Sequence, residues 1–462
     1  MSNIIEEPSM WRQCDTFFYS YEFYKSGINL LSPSVCWMGD YKTVALEFPV
    51  VSAVIAFFFN VFGAHISISK LVCLLFYAGS VWYLFLLFKL LFYKQLAYII
   101  SLIYAALPLG LYYSRAVIID FAELLFVFAA FYYFIVWMDK VNIKNLMLTL
   151  IFLTLALLTK APYILLIVFP SVYEIYRRQK SKLVLRNLIF FFIPFIIFIT
   201  WQNYVYNLNS KAPDWYFIPG YFKFTNMSSW YFGNINSRFD LSTWKTLFFR
   251  FGESITSYIG VLLFAAGIFI KLKNNHSKKI FALFSFSSVI YLLVFFDLNR
   301  IHDYYQIPFL CIASFYIAVT FDYLIDKFQN KKIKFLTIII SVFFLINCIW
   351  FTERWYFKVN RLKKTSSEII RNKTPENSLV IVSDMETDPR DPTVLAPALR
   401  TGWSVNYKNL SQEIIDKLKS EGANYLLLVL KDDVKDNYNN NRLIDEKSFE
   451  NKWNIRLYLL EK

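Results

Sequence analysis

Eight ionisable residues of this 462-residue chain have types and settings that could do chemistry: Asp15, Glu47, Arg115, Asp120, Lys160, Arg300, His302 and Asp303. They fall at the outer ends of the expected helices or in outer loops, and an ionisable side chain at an apolar boundary is costly and usually functional. Together they supply carboxylates that could serve as a general base and cations that could hold a phosphate. Asp15 lies in Trp11-Arg12-Gln13-Cys14-Asp15-Thr16, followed by an aromatic, amphipathic segment to Gly27. By pattern alone a solvated loop carboxylate paired with Arg12 is the plainer account. Glu47 heads Phe48-Pro49, where a carboxylate also simply complements a helix N-terminus. Arg115 and Asp120 bracket a connector and could form an ion pair or a helix cap, with Glu123 one turn deeper. Lys160 sits at a tight hairpin in Leu158-Thr159-Lys160-Ala161-Pro162, either snorkelling to the headgroups or meeting a lipid phosphate. Asn299 to Tyr305 carries Arg300, His302, Asp303 and Tyr304 ahead of a helix opening at Pro308; an aromatic belt with a capping Asp is the plainer account.

Metal and redox chemistry have weak support. The chain has 3 His, with no His-Glu-x-x-His and no paired spacing, so only Glu47 and His302 suggest themselves as contacts for a divalent ion. Five cysteines, at 14, 36, 73, 311 and 348, show no Cys-x-x-Cys spacing. Cys73, Cys311 and Cys348 fall in apolar runs as small core residues, while Cys14 and Cys36 could pair if their loop lies outside.

The elements that must position these residues are membrane helices. The composition is 57% hydrophobic and 20% aromatic with 18% charged residues, against about 25% charge in ordinary soluble domains. That excludes a cytosolic enzyme and a disordered protein, and makes bilayer the solvent for most of the chain. The net charge of +14 lies in short connectors rather than on a soluble face, which argues against nucleic acid. About ten helices are predicted, near 69–93, 96–113, 119–138, 143–159, 161–176, 187–206, 255–272, 279–296, 306–325 and 333–351. One set of connectors holds 17 basic residues: Lys89, Lys94, Lys140, Lys144, Arg177, Arg178, Lys180, Lys182, Arg186, Lys271, Lys273, Lys278, Lys279, Lys327, Lys331, Lys332 and Lys334. The intervening short connectors hold only Lys70, Arg115, Lys160 and Arg300, so the first set is expected to face the cytoplasm.

Parity then divides the chain into an outer loop with interfacial helices (1–68), a transmembrane domain (69–351, with an outer loop at 207–254) and an extracytoplasmic α/β domain (352–462). The apolar segment 47–63 would break the alternation if it crossed, so it is expected to lie in the outer interface or re-enter from it. Residues 1–16 hold no apolar span and no signal peptide, so either the first helix translocates this acidic segment or, the favoured expectation, a membrane helix lies upstream of it. In the C-terminal domain 379–383, 425–430 and 454–460 read as strands and 410–421 as an amphipathic helix stopped by Gly422, with an Asn-rich loop at 437–441 and no Gly-rich phosphate loop.

Trp11-Arg-Gln-Cys-Asp-Thr, Glu47-Phe-Pro, Ser114-Arg115 with Asp120, Leu158-Thr-Lys160-Ala-Pro and His302-Asp-Tyr-Tyr-Gln-Ile-Pro308 occur in this order. The set resembles the bacterial family 39 glycosyltransferases of the GT-C superfamily, relatives of protein O-mannosyltransferases and lipid A aminoarabinose transferases. The likeness covers about residues 9–320, with Arg400-Thr-Gly-Trp403 beyond it. It implies a sugar transferase of the plasma membrane that draws on a polyprenyl-phosphate donor and an acceptor lipid, glycan or protein on the extracytoplasmic side. Asp15, Asp120 and Glu47 match the family's acidic positions, while Lys160, Arg115 and Arg300 are the candidates for the donor phosphate. Arg12, His302, Asp303 and Tyr304 would support the substrates. A polysaccharide polymerase or ligase, or a lipid or glycan transporter, are the alternatives; transporters hold their charges near the midplane and carry repeats, neither of which is visible here.

Overall fold

In the computed structural model of the chain, residues 3–178, 186–221, 223, 228–272, 275–438 and 441–461 are described. Lys180, Lys182, Lys273 and the Asn439-Asn440 part of the Asn-rich stretch lie outside them. A bilayer cannot satisfy exposed backbone groups, so apolar runs pair them internally as helices. Six helical stretches among the described residues are long and apolar enough to cross: Ile66–Leu91, Asp120–Asp139, Ile143–Arg177, Leu188–Ser210, His276–Val294 and Lys331–Trp355. A seventh arises if Leu241–Ile255 and Tyr258–Phe269, bent by 99° at their junction, count as one. Lys94–Ala106 and Phe309–Ile325, where spans were also expected, are shorter apolar helices. The first of these stops at Leu107 because Pro108 opens a new helix, Pro108–Tyr113, having no N–H to continue the old one.

The described chain forms two compact units. One comprises Met1–Val72, Asn203–Asn226 and Lys358–Lys462; the other comprises Cys73–Gln202 and Met227–Phe357.

In the first unit, helices α1 (Met10–Ser26) and α2 (Val50–Phe62) pack together, with the Phe17 and Tyr24 rings each edge-on to Phe59 at 6.1 Å. At 13 residues α2 is about 20 Å long, short of the roughly 30 Å hydrocarbon layer. In the opening turns of helix α3 (Ile66–Leu91) stands Lys70, whose fully buried side chain meets Glu6 at 3.1 Å. The same unit holds a five-stranded sheet in the order β2-β1-β3-β5-β4. Strands β1 (Leu379–Asp384), β2 (Thr401–Asn406) and β3 (Ala423–Lys431) are parallel; β4 (Arg442–Phe449) and β5 (Trp453–Leu459) close the far edge antiparallel. The apolar run of β1 and β3 reflects burial on both faces, which parallel strands require. Three segments escape a reading by pattern: β2, the exposed and charged edge strand β4, and the amphipathic helix Arg361–Lys373.

In the second unit, α4 (Lys94–Ala106) and α5 (Pro108–Tyr113) precede α6 (Asp120–Asp139), α7 (Ile143–Lys160) and α8 (Leu165–Arg177). Asp120 at the start of α6 pairs with Lys160 at the end of α7, while Arg178 beyond α8 pairs with Asp139 at the end of α6. So α6 and α8 run the same way and α7 runs against both, and the 35-residue apolar stretch is two passes reversed at Lys160–Ile164, as Pro162 suggested. At the Arg178 end, buried Glu174 gathers Arg177, Arg178 and His276.

Gly402 binds the sheet to the N-terminal segment: its N–H donates to the Cys36 carbonyl (2.9 Å) and its carbonyl accepts from Gly39 N–H (2.8 Å). A Cβ at Gly402 would lie 1.9 Å from the Val380 carbonyl oxygen, backbone that cannot give way. Gly402→Ala should therefore destabilise the first unit by about 2 kcal/mol or more, read as a lower thermal midpoint in detergent; an unchanged midpoint would refute this steric account.

Candidate active site

The candidate residues gather into two clusters, one in each unit. In the first unit Asp15 is a helical residue of α1 and is buried, contrary to a solvated loop. Its Oδ1 accepts from the Trp37 indole N–H at 3.2 Å. Arg12, three residues earlier, pairs with Glu47, which sits just ahead of α2 where the α1–α2 packing brings it within reach. Burial pushes the Asp15 carboxyl up to about 7, against the Arg12 charge and the Trp37 hydrogen bond, which both favour the carboxylate. A carboxyl so placed changes its charge near neutral pH, which suits it to take a proton. Glu47 is buried by the same packing.

In the second unit the antiparallel α6–α7 pair brings Asp120 and Lys160 to the same end. Lys160 Nζ lies 2.5 Å from Asp120 Oδ1, with the two side chains 9% and 1% exposed. The Tyr163 hydroxyl donates to the same oxygen at 2.5 Å. Three rings surround the ammonium: Tyr305 at 3.8 Å, Tyr163 at 4.7 Å and Tyr304 at 5.0 Å from their centroids. Such faces attract a cation, as does the carboxylate. His302 stacks on Tyr304 with centroids 5.1 Å apart. Glu123, one turn into α6 and fully buried, has no hydrogen-bond partner at either carboxylate oxygen among the described residues.

The other candidates of this unit have separate partners. Asp303 accepts from Tyr113 (2.7 Å) and Tyr356 (2.9 Å). Arg115 lies over the Phe357 ring at 4.3 Å. Arg300 pairs with Asp297, three residues back on its own short helix, at 2.6 Å. Sequence reasoning passed over Trp37, Tyr163 and Tyr305. The spacing of Tyr163, one turn past Lys160 across Pro162, is a signal that could have found it; Trp37 has none, being brought to Asp15 by loop closure alone.

Glu47 and His302 belong to different units, and among the described residues no group of three or more His, Cys, Asp or Glu is placed to hold a metal ion. Cys14 and Cys36, like the other three cysteines, are buried free thiols rather than a disulfide.

Breaking the Asp120–Lys160 pair from one side leaves a buried charge without its counter-ion. Asp120→Asn should lower stability by about 3–5 kcal/mol, whereas Asp120→Leu combined with Lys160→Met should recover much of that loss. Thermal denaturation in detergent checks both, and equal midpoints for Asp120→Asn and the parent protein would show that the pair contributes nothing.

Residues 47–203 match the family model described as dolichyl-phosphate-mannose-protein mannosyltransferase. None of the curated protein sequences matches the chain. Among solved structures, ArnT from Cupriavidus metallidurans bound to undecaprenyl phosphate superposes with a TM-score of 0.58 at 12% identity, over 98% of this chain and 94% of that one. Its apo form gives 0.55 at 13% identity over the same shares. The archaeal oligosaccharyltransferase AglB from Archaeoglobus fulgidus, in complex with an inhibitory peptide and a dolichol-phosphate, gives 0.57 at 9% identity over 92% of this chain and 66% of that one. The multi-span helical architecture, the C-terminal sheet and these likenesses together make this chain a membrane protein of the GT-C fold.

Proposed function

We propose that the protein is an inverting glycosyltransferase that moves one sugar from a polyprenyl phosphate to a hydroxyl of a lipid, glycan or protein. The observation that carries this reading is the buried Asp15 carboxyl, poised near neutrality, in a chain whose fold is shared with proteins solved on undecaprenyl phosphate and dolichol-phosphate. The charge alternation of the connectors supports a plasma-membrane location with residues 1–68, 207–254 and 352–462 on the extracytoplasmic side.

Asp15 would accept the proton of the acceptor hydroxyl as its oxygen attacks the anomeric carbon from the face opposite the phosphate. The new carbon–oxygen bond forms as the bond to the phosphate oxygen breaks, so the configuration inverts and polyprenyl phosphate leaves with the electron pair. This leaving group is already an ionised phosphate, so cations that stabilise it matter more than a proton donor. Lys160, Arg115 and Arg300 are the cations proposed for it. Because Lys160 already neutralises Asp120, it would hold the donor phosphate as a shared counter-ion rather than as an isolated charge.

The likeness to AglB favours one second reading, transfer of a preassembled glycan to protein. A donor carrying a single sugar and one carrying a glycan, offered in parallel, separate the two.

Asp15→Asn should abolish sugar transfer from labelled polyprenyl-phosphate donors while leaving membrane insertion intact, and near-normal turnover by that variant would sink the assignment. A base is active when deprotonated, so turnover should fall as the pH drops through about 7, the value to which burial raises this carboxyl. Lys160→Ala should weaken donor binding more than acceptor binding, measured by titrating each substrate separately.

A further inference from the structure

Trp37 and the sheet of the C-terminal domain meet through one short turn. Trp37 Nε1 donates to Asp15 Oδ1 at 3.2 Å, and both side chains are buried. Residues 36 and 39, on either side of that indole, are the two that hydrogen-bond to Gly402 of β2. Gly39 has φ +60°, and a Cβ there would fall 2.2 Å from the ring of buried Trp403, so the turn lies as close to β2 as backbone can. Its other end is tied by Val35 N–H to the Lys42 carbonyl at 2.8 Å.

We propose that Trp37 is a positioning residue for Asp15 and that the C-terminal α/β domain, through Gly402 and Trp403, sets where Trp37 stands. This rests on Asp15 acting as the base. An indole N–H is a donor with no acceptor, so it cannot take the proton that Asp15 must carry. It holds Oδ1 in one orientation and leaves the other carboxylate oxygen to meet the acceptor hydroxyl. The domain is then part of the machinery that activates the acceptor.

The charges facing Asp15 come from every element around it. Arg12 acts from α1 itself, Glu47 from the segment before α2 and Asp391 from the segment after β1. The Cys14 and Cys36 thiols and the Tyr19 hydroxyl also feel its charge, and burial keeps all three protonated. Asp391 is held by Lys363, whose Nζ lies 3.0 Å from its Oδ2 and 2.8 Å from Thr393 Oγ1. The C-terminal domain therefore touches the electrostatics of Asp15 as well as its geometry.

The test uses the full chain in liposomes with labelled undecaprenyl-phosphate sugars, comparing the parent, Trp37→Phe, Gly39→Ala and Asp15→Asn. Trp37→Phe removes a hydrogen bond to a charged group and should lower kcat about tenfold or more. The donor KM should stay within about twofold, because the lost interaction is not with the donor. The N–H favours the carboxylate, so its loss raises the Asp15 pKa and moves the acid limb of the pH–kcat profile to higher pH. Gly39→Ala, which pushes the turn off Trp403 without removing the indole, should move the limb the same way. If Trp37→Phe is not recovered as a monodisperse protein, Gly39→Ala decides alone. Parent kcat and an unmoved limb, or a loss of kcat with the limb unmoved, would overturn the positioning role. Turnover retained by Asp15→Asn would instead overturn the base assignment itself.

Discussion

A charge that leaves water must take its counter-charge with it, and most of this architecture follows from that constraint. In an apolar medium an ion without a partner costs several kcal/mol even after the surroundings relax. The chain meets this by pairing: Lys160 with Asp120, Lys70 with Glu6, and Arg12 with Glu47. In the Lys160–Asp120 pair the two residues lie at the ends of adjacent antiparallel helices, where the reversal that the membrane demands brings distant residues together. The hairpin at Lys160–Ile164 is thus both a topological necessity and the device that assembles a cation with a carboxylate and a ring of tyrosines.

The same pairing rule decides what remains reactive. Arg12 pairs with Glu47, and burial lifts the pKa of Asp15 to about 7 against the pull of the Arg12 charge and the Trp37 N–H. Had Arg12 turned to Asp15, the carboxyl would have been held ionised and a poor proton acceptor. The difference lies in the packing of α1 against α2, which presents Glu47 first.

The C-terminal sheet shows where sequence patterns stop being informative. Strands β1 and β3 carry apolar runs and β5 an alternating one because burial imposes them, and these are legible. Strand β4 is an exposed edge rich in charge, so no hydrophobic period marks it. Strand β2 is legible only once the Val380 carbonyl is known to lie where a Cβ on Gly402 would stand. The composition, with only 12 Gly, gives no hint that Gly39 and Gly402 face each other across 363 positions of sequence, because their contact is a matter of backbone approach and not of residue type.

The sequence by itself determined the solvent, the helical class and the identity of the ionisable residues worth examining, since hydropathy and the cost of charge in lipid act locally along the chain. It also marked the reversal at Pro162 and the ordered motifs that resemble the GT-C enzymes. Only the tertiary structure decided the partners: that Arg12 goes to Glu47, that Lys160 is caged by tyrosines, and that Trp37 reaches Asp15. Pairing of charges depends on distances between segments remote in sequence, and those distances are set by how helices and sheet pack rather than by any residue's own preference.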